Sequence, residues 1–285
     1  VWADAPAGVV EAVSDGQGRF SLFPLPAGEV DIRFTVGSFQ GVGTVRVCGG
    51  VTTVVEGGAA GCLRLDGETR LAVVTGTYDR VQDVLADLGF TQVETFGGPD
   101  GTYRGRLLED AARLSSFAAL FLNAGLKEEV LGEGTVALEN LRAYVADGHG
   151  VYASDWAHFL VETAWPEAVD FWGRDVAWDE ARVGVAAEAV VVTAGQDVVA
   201  QVLGDTVAQV GFRTGSWVVM ESVLDNVTVY LRGDVVAGVS AVPAAPLAVG
   251  FRPGGGGRVV FTSLLSTGQA TASMDAFTRF LVLQP

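Results

Sequence analysis

Three side chains that could do chemistry lie within five residues of one another: the hydroxyl of Ser154, the carboxylate of Asp155 and the imidazole of His158. They follow the apolar run Val151-Tyr152-Ala153 and open a stretch with helical spacing. In an open α/β sheet, such a strand-to-helix turn is where nucleophiles and ligands are placed. A hydrolytic triad needs its imidazole between serine and carboxylate, and three groups on a single turn rarely reach that arrangement. The simpler role for Ser154 or Asp155 is to cap a helix beginning near Trp156, worth ~1 kcal/mol, with His158 in its first turn. The second histidine, His149, sits between two glycines as a turn residue does. Two histidines without a His-x-x-x-His pair give no basis for a catalytic transition metal. The acidic residues Asp155, Asp170, Asp175, Asp179 and Glu180 lack EF-hand spacing and read as a solvated face, so no cofactor is expected, with calcium the one cation left open.

The elements around this turn alternate. Leu71–Thr75 is an apolar run, as a strand buried on both faces should be. Tyr78–Leu88 carries Val81, Val84, Leu85 and Leu88 at helical spacing, and Gly89 ends it. Gln92–Phe96 reads as a strand, Leu107–Leu114 as a helix, Ala118–Leu122 as a strand and Val136–Val145 as a helix. Val151–Ser154 and a helix over Phe159–Val169 follow. This alternation predicts a parallel sheet with helices on both faces. The rhythm breaks near Val176. Strands are expected at Ala189–Thr193, Thr206–Phe212, Trp217–Met220, Val227–Leu231 and Asp234–Val239, with one helix at Asp197–Leu203. They form a β-rich insertion or extension over about 176–246. Gly254–Gly257 lacks Gly-Lys-[Ser/Thr] and reads as a hairpin turn rather than a phosphate loop. Met274–Leu283 closes the chain as a helix.

The carboxyl ends of the parallel strands define a cleft at the topological switch point. Its candidate lining is Asp79, Asn123, Lys127, Ser154, Asp155, Trp156 and His158. Lys127 is the only lysine in the chain. It could pair with Asp79 or Asp155, or receive an anionic ligand. Trp156, Trp165, Phe171, Trp172 and Trp178 are dense nearby and read as packing, with a carbohydrate-binding rim as the other option.

Residues 1–66 lack a good helical stretch. Strand-like runs at Gly8–Val13, Gly18–Phe23, Gly28–Val36, Gly43–Cys48 and Val51–Glu56 alternate with turn signals. In Glu29–Val36, Val30, Ile32 and Phe34 alternate with polar residues, the period of a half-buried strand. The expected product is a small β-sandwich. Cys48 and Cys62 flank a Gly-rich loop. A disulfide is the expected state over two free thiols, with an oxidising compartment implied. The segments Asp15-Gly16-Gln17-Gly18-Arg19-Phe20 and Leu25-Pro26-Ala27-Gly28 resemble those of carboxypeptidase-regulatory-like (transthyretin-like) domains. That resemblance implies a non-catalytic structural or adhesive module on a secreted protein.

The chain has 285 residues and a net charge of −16. No basic stripe is present, which argues against nucleic acid as a partner. No apolar run reaches the ~20 residues of a membrane-spanning helix. No signal peptide is evident at the start.

Two further segments carry a second resemblance. Leu141 to Trp156, with its Gly148-His149-Gly150 turn, and Gly256 to Leu265, with Val259-Val260-Phe261-Thr262-Ser263, are similar to the glutamine-amidotransferase-like superfamily, particularly its ThuA-like branch. The resemblance covers roughly residues 70–285. It implies a flavodoxin-like, three-layer α/β domain (70–285) behind the N-terminal β-sandwich (1–66), an α/β plus all-β chain. In that family the elbow holds a cysteine nucleophile and a late histidine serves as base. Here Asp155 falls at the cysteine position and Leu265 near the base. The resemblance therefore implies a degenerate site with no catalytic residue. The expected role is structural, assembly or binding, on a secreted, periplasmic or cell-surface bacterial protein that binds a protein partner, further copies of itself or a glycan. A hydrolase or carbohydrate-binding protein using Asp155 and His158 is the competing expectation.

Overall fold

Short apolar strands, each buried from end to end, build the centre of the larger unit. In the computed structural model these are β6 (Leu71–Val74) and β8 (Ala119–Leu122), joined by β9 (Gly150–Ser154) and β18 (Val259–Thr262). Strands without an exposed face need cover on both sides, the condition of a parallel sheet. The structure describes residues 1–15, 19–36, 39–54, 64–65, 69–97, 107–124, 136–171, 183–212, 215–266 and 272–285. Chain contacts divide them into two compact units: Val1–Thr69 with Gly89–Gln92, and Arg70–Leu88 with Val93–Pro285.

The first unit is a five-stranded antiparallel sheet: β1 (Trp2–Ala5), β2 (Gly8–Glu11), β3 (Gly28–Val36), β4 (Phe39–Val47) and β5 (Arg64–Leu65), in the order β2-β1-β3-β4-β5. The period of two in β3 is realised. Val30, Ile32 and Phe34 are buried, while Arg33 on the other face donates to Asp4 at 2.8 Å and Asp31 accepts from Thr44 at 2.7 Å. Ala3, Val30 and Ile32 pack with Phe20, Leu22, Leu25 and Val45. The strands expected at 18–23 and 51–56 are absent from their described parts, 19–23 and 51–54. Pro24 and Pro26 cannot donate to a ladder, and the 19–25 segment instead lays its apolar side chains on the sheet. One sheet with a packed segment, rather than two facing sheets, is what the described residues form. Cys48 is exposed, and Cys62, with the expected bridge, lies outside the described residues.

The second unit is a mixed sheet of eleven strands among the described residues. Its parallel part runs β18-β9-β8-β6-β7, with β7 at Val93–Phe96. Numbered along the chain, that order is 2-1-3-4-5, the doubly wound order of flavodoxin-like sheets. Among the described residues the helices with both ends present are α1 (Val81–Asp87), α2 (Ala111–Leu114), α3 (Val136–Ala146), α4 (His158–Ala164), α5 (Asp197–Leu203) and α6 (Ala272–Val282). The helix expected over Phe159–Val169 stops at Ala164, because Pro166 cannot continue it. Val169–Phe171 is instead strand β10.

The β-rich segment continues the same sheet. Beyond β18 come β17 (Ser240–Phe251), β16 (Thr228–Ala237), β12 (Ala187–Ala194) and the edge strand β13 (Val207–Phe212), all antiparallel. β11 (Val183–Gly184) joins this sheet through β16 and pairs with β14 (Trp217–Val218), while β15 (Met220–Val223) and β10 form a separate two-stranded sheet. The two strands expected at 227–231 and 234–239 are one, running through Arg232-Gly233-Asp234. Gly233 fits there because Val190, Val192 and Leu247 leave little room for a β-carbon. Gly254–Gly257 joins β17 to β18 as the expected turn.

Candidate functional site

The register of the parallel strands places Asn123, Ser154 and Thr262 in one row at the carboxyl edge. The order reverses between β6 and β8, and there the chain is tightly drawn. A β-carbon at Gly76 would collide with the carbonyl of Ala124, so only glycine lets these two strand ends approach. The loop after β6 then brings Asp79, fully buried, over the ends of its neighbours.

Asp79 organises this edge. Its carboxylate accepts from the Ser154 hydroxyl at 2.5 Å, from the Arg80 and Ser266 backbone N–H groups at 2.8 Å each, and from the Ser266 hydroxyl. Ser154 Oγ in turn accepts from the Ala124 N–H at 3.1 Å. Asn123 Nδ2 donates to the Asp79 carbonyl at 3.2 Å and to Gln82 Oε1 at 2.8 Å, while its Oδ1 is buried without a partner among the described residues. Burial, with the Asp79 charge second, pushes the neighbouring Tyr152 phenol well above its ordinary range. One carboxylate thus joins the ends of β6, β9 and β18. A charged acceptor with several donors is the arrangement that makes a buried carboxylate tolerable.

The elbow is backbone-strained. Asp155 has φ +43°, an uncommon conformation for a residue with a β-carbon. It begins a short 3-10 turn, Asp155–Ala157, that leads into α4. Neither Ser154 nor Asp155 caps that turn through its side chain in the way the sequence suggests. Ser154 is drawn to Asp79. Asp155 Oδ1 accepts from the Val218 N–H of β14 at 2.6 Å, and its residue is only 4 % exposed. Beside it, Trp156 Nε1 donates to the Ser216 carbonyl at 2.6 Å. The chain's own Ser216–Val218 segment therefore lies against the elbow.

His158 is sealed. Neither ring nitrogen has a partner among the described residues, and the rings of Trp156, Phe159 and Phe171 lie 5.6, 6.3 and 5.3 Å away. Burial lowers its pKa to about 3, so the imidazole is neutral at ordinary pH. His149 stacks on Tyr144 at 4.4 Å. The seven candidate residues thus divide. Asp79, Asn123 and Ser154 form one hydrogen-bonded group. Asp155 and Trp156 are tied to the Ser216–Val218 segment. His158 bonds to neither Ser154 nor Asp155. Lys127 lies outside the described residues. Ser266, Gln82 and Val218 complete the site, and no residue type or spacing in the sequence marks them for it.

Chemically, the base within reach of the Ser154 hydroxyl is the Asp79 carboxylate. Ser154 donates to a carboxylate that three other donors already occupy, and no imidazole among the described residues reaches it. Among the described residues no three His, Cys, Asp or Glu side chains converge as a metal site requires. Of the acidic set, Asp170 accepts from Ser222 at 3.3 Å, while Asp175, Asp179 and Glu180 lie outside the described residues. A hollow of about 680 Å³ opens elsewhere, between β11, β12 and β16, lined by Val185, Val191, Arg232, Asp234 and Val236.

No family model matches the chain, and no curated protein matches its sequence. Solved structures do match. A cytoplasmic protein of Salmonella typhimurium LT2 is 12 % identical over 75 % of this chain and 98 % of its own, with a TM-score of 0.49. PurLQS of Thermotoga maritima is 13 % identical over 75 % and 97 %, with a TM-score of 0.46. A GMP synthase subunit of Thermoplasma acidophilum is 13 % identical over 76 % and 94 %, with a TM-score of 0.43. Against the expected secreted, periplasmic or cell-surface location, the two Salmonella structures similar to this chain are named as cytoplasmic proteins. Among the described residues no helix is long and apolar enough to cross a membrane.

Proposed function

We propose that this chain is a non-catalytic binding or assembly protein, its second unit an amidotransferase-like frame that keeps the elbow for structure. The observation that carries the reading is the fate of the elbow residue. Asp155 stands where the resembled family has its nucleophile, and its carboxylate is spent on a backbone N–H of the Ser216–Val218 segment. A carboxylate held by a 2.6 Å hydrogen bond and shielded from solvent is neither a nucleophile toward an amide nor a free base. The sealed His158 supports the same reading, since an imidazole with a pKa of about 3 and no neighbour in reach among the described residues shuttles no proton. The test is a turnover assay of the full chain on glutamine, simple amides and aryl glycosides, alongside Asp155→Asn. The expected result is no release above background with either protein. Turnover by the wild type that Asp155→Asn abolishes would overturn the reading and restore the hydrolase.

A further inference from the structure

We propose that the hollow between β12 and β16 is a binding site for an apolar monocarboxylate, with the carboxylate seated on Arg232 and the apolar body between the strands. The proposal goes beyond the reading above, since it names a second place in the molecule and a ligand class. The hollow exists because a ladder stops. β12 pairs with β16 over residues 192–194, against 231–233. Continued in register, that ladder would set Val191 opposite Asp234 and Val190 opposite Val235. Instead β16 is met beyond Gly233 by β11, where Gly184 pairs with Ala237 and the Val185 N–H donates to the Val236 carbonyl at 3.0 Å. The strands part, and about 680 Å³ opens between them. Successive residues of a strand face opposite ways. This hollow touches Val190 and Val191, and residues 233–236, in unbroken succession, so it passes between the strands rather than resting on one face.

Two observations point to a ligand. The first is apolar surface left in water. Val191 is 58 % exposed and Val185 40 %, on walls that Trp217 and the buried Val190 and Val235 continue inward. A volume of this size, with mostly apolar walls and few polar groups, is that of a small-molecule site. The walls are fixed: the Trp217 ring stacks on Phe212 at 3.9 Å, and its Nε1 donates to the Val185 carbonyl at 3.1 Å. The second observation is Arg232. Its half-buried side chain spends one N–H on the Ala244 carbonyl at 3.3 Å, and no carboxylate pairs with it among the described residues. A guanidinium carries five N–H donors in a fork that fits a carboxylate. Asp234 shares the wall but is exposed, and its Oδ1 already accepts from the Ala244 N–H at 2.7 Å. Ala244 has φ +50°, so two charged side chains hold one strained residue between them, and such strain accompanies ligand clamps. A half-buried cation without a counter-ion, beside apolar walls, selects a single negative charge on an apolar body. The Asp234 charge at the rim disfavours a doubly charged head such as phosphate.

The experiment is isothermal titration calorimetry of the full chain with octanoate, octylamine and octyl phosphate, each taken to millimolar concentration. The expected result is one octanoate per chain, with a dissociation constant below about 1 mM and a negative heat-capacity change. The amine and the phosphate should bind more weakly, by roughly tenfold or more. Arg232→Gln should raise the octanoate constant by roughly tenfold or more. Val191→Asp, at an exposed position on the wall, should do the same by opposing the carboxylate. Arg33→Gln in the other unit should leave it unchanged, and unfolding curves confirm that each variant folds. Octanoate that does not saturate at millimolar concentration overturns the proposal. Tighter binding of octylamine or octyl phosphate overturns it by giving the hollow to a different head group. Octanoate binding indifferent to both Arg232→Gln and Val191→Asp overturns it as well, since the ligand then sits elsewhere. None of these outcomes touches the turnover assay, so the two readings fail separately.

Discussion

The two halves of the large sheet manage polar groups in opposite ways. At the carboxyl edge of β18-β9-β8-β6, where an open α/β fold ordinarily meets its ligand, Asp79, Ser154, Ser266 and Asn123 bond to one another and Asp155 bonds to Val218. At the antiparallel end, the register with β12 turns the backbone groups of Gln209 away from the ladder. The edge expected to be receptive is tied across by the chain itself, although Asn123 Oδ1 and the His158 nitrogens stay without partners there among the described residues, and further unspent backbone capacity lies at the far side of the same sheet. Location within a fold therefore says where chemistry can be placed. Whether it is placed there depends on which donors and acceptors the chain leaves unused.

Removing the acceptor that closes the carboxyl edge is the most severe way to break that contrast. Asp79→Ala would leave the Ser154 and Ser266 hydroxyls and two backbone N–H groups facing a void. Each orphaned buried group costs ~1–3 kcal/mol, so the four together predict a loss on the order of 4 kcal/mol or more in urea unfolding. A loss under ~1 kcal/mol would mean that the strand ends are held by packing alone, and the contrast with β13 would lose its basis.

His158 sharpens the comparison, because it is a titratable group at the closed edge whose described surroundings leave it unsatisfied. Its folded pKa, about 3, lies below the unfolded value near 6.5. Between those values the unfolded chain binds the extra proton. Stability from this group is therefore complete above pH ~6.5 and declines as pH falls toward ~3, by up to ~1.4 kcal/mol per unit. Between pH 7 and pH 5 the wild type should lose ~2 kcal/mol more than His158→Leu, which has no proton to gain. Equal slopes for the two proteins would show that the ring reaches solvent or a partner before the chain unfolds.

The legible part of this architecture is what local pattern controls. Apolar runs at 71–75, 118–122 and 151–154 imply parallel strands, and alternation in 29–36 implies a half-buried one. Asp79, Asn123 and Ser154 are drawn from the ends of predicted strands, and they meet because strand ends must. The remaining contacts are long-range. Ser266 reaches Asp79 across 187 residues, and Val218 reaches Asp155 across 63. No local spacing encodes either. The errors are equally physical. Helical spacing over 159–169 outweighs Pro166, which ends α4. The glycine inside β16 reads as a break until the packing of Val190, Val192 and Leu247 explains it.

The smallest expected effect concerns the Ser216–Val218 segment, whose two ties to the elbow decide whether that edge is closed as a unit. Trp156→Phe keeps a ring against His158 and removes the bond from Nε1 to the Ser216 carbonyl. One such bond contributes ~1 kcal/mol net. Asp155→Asn weakens the neighbouring tie to Val218 by a similar amount, since a neutral acceptor replaces a charged one. If the segment docks as a piece, the first loss makes the second cheaper, and the double variant should fall short of the sum by ~0.5 kcal/mol or more. Additivity within ~0.3 kcal/mol would instead mean two independent contacts on a segment held elsewhere. The carboxyl edge would then be covered rather than locked, and its difference from the bare β13 edge would be one of degree.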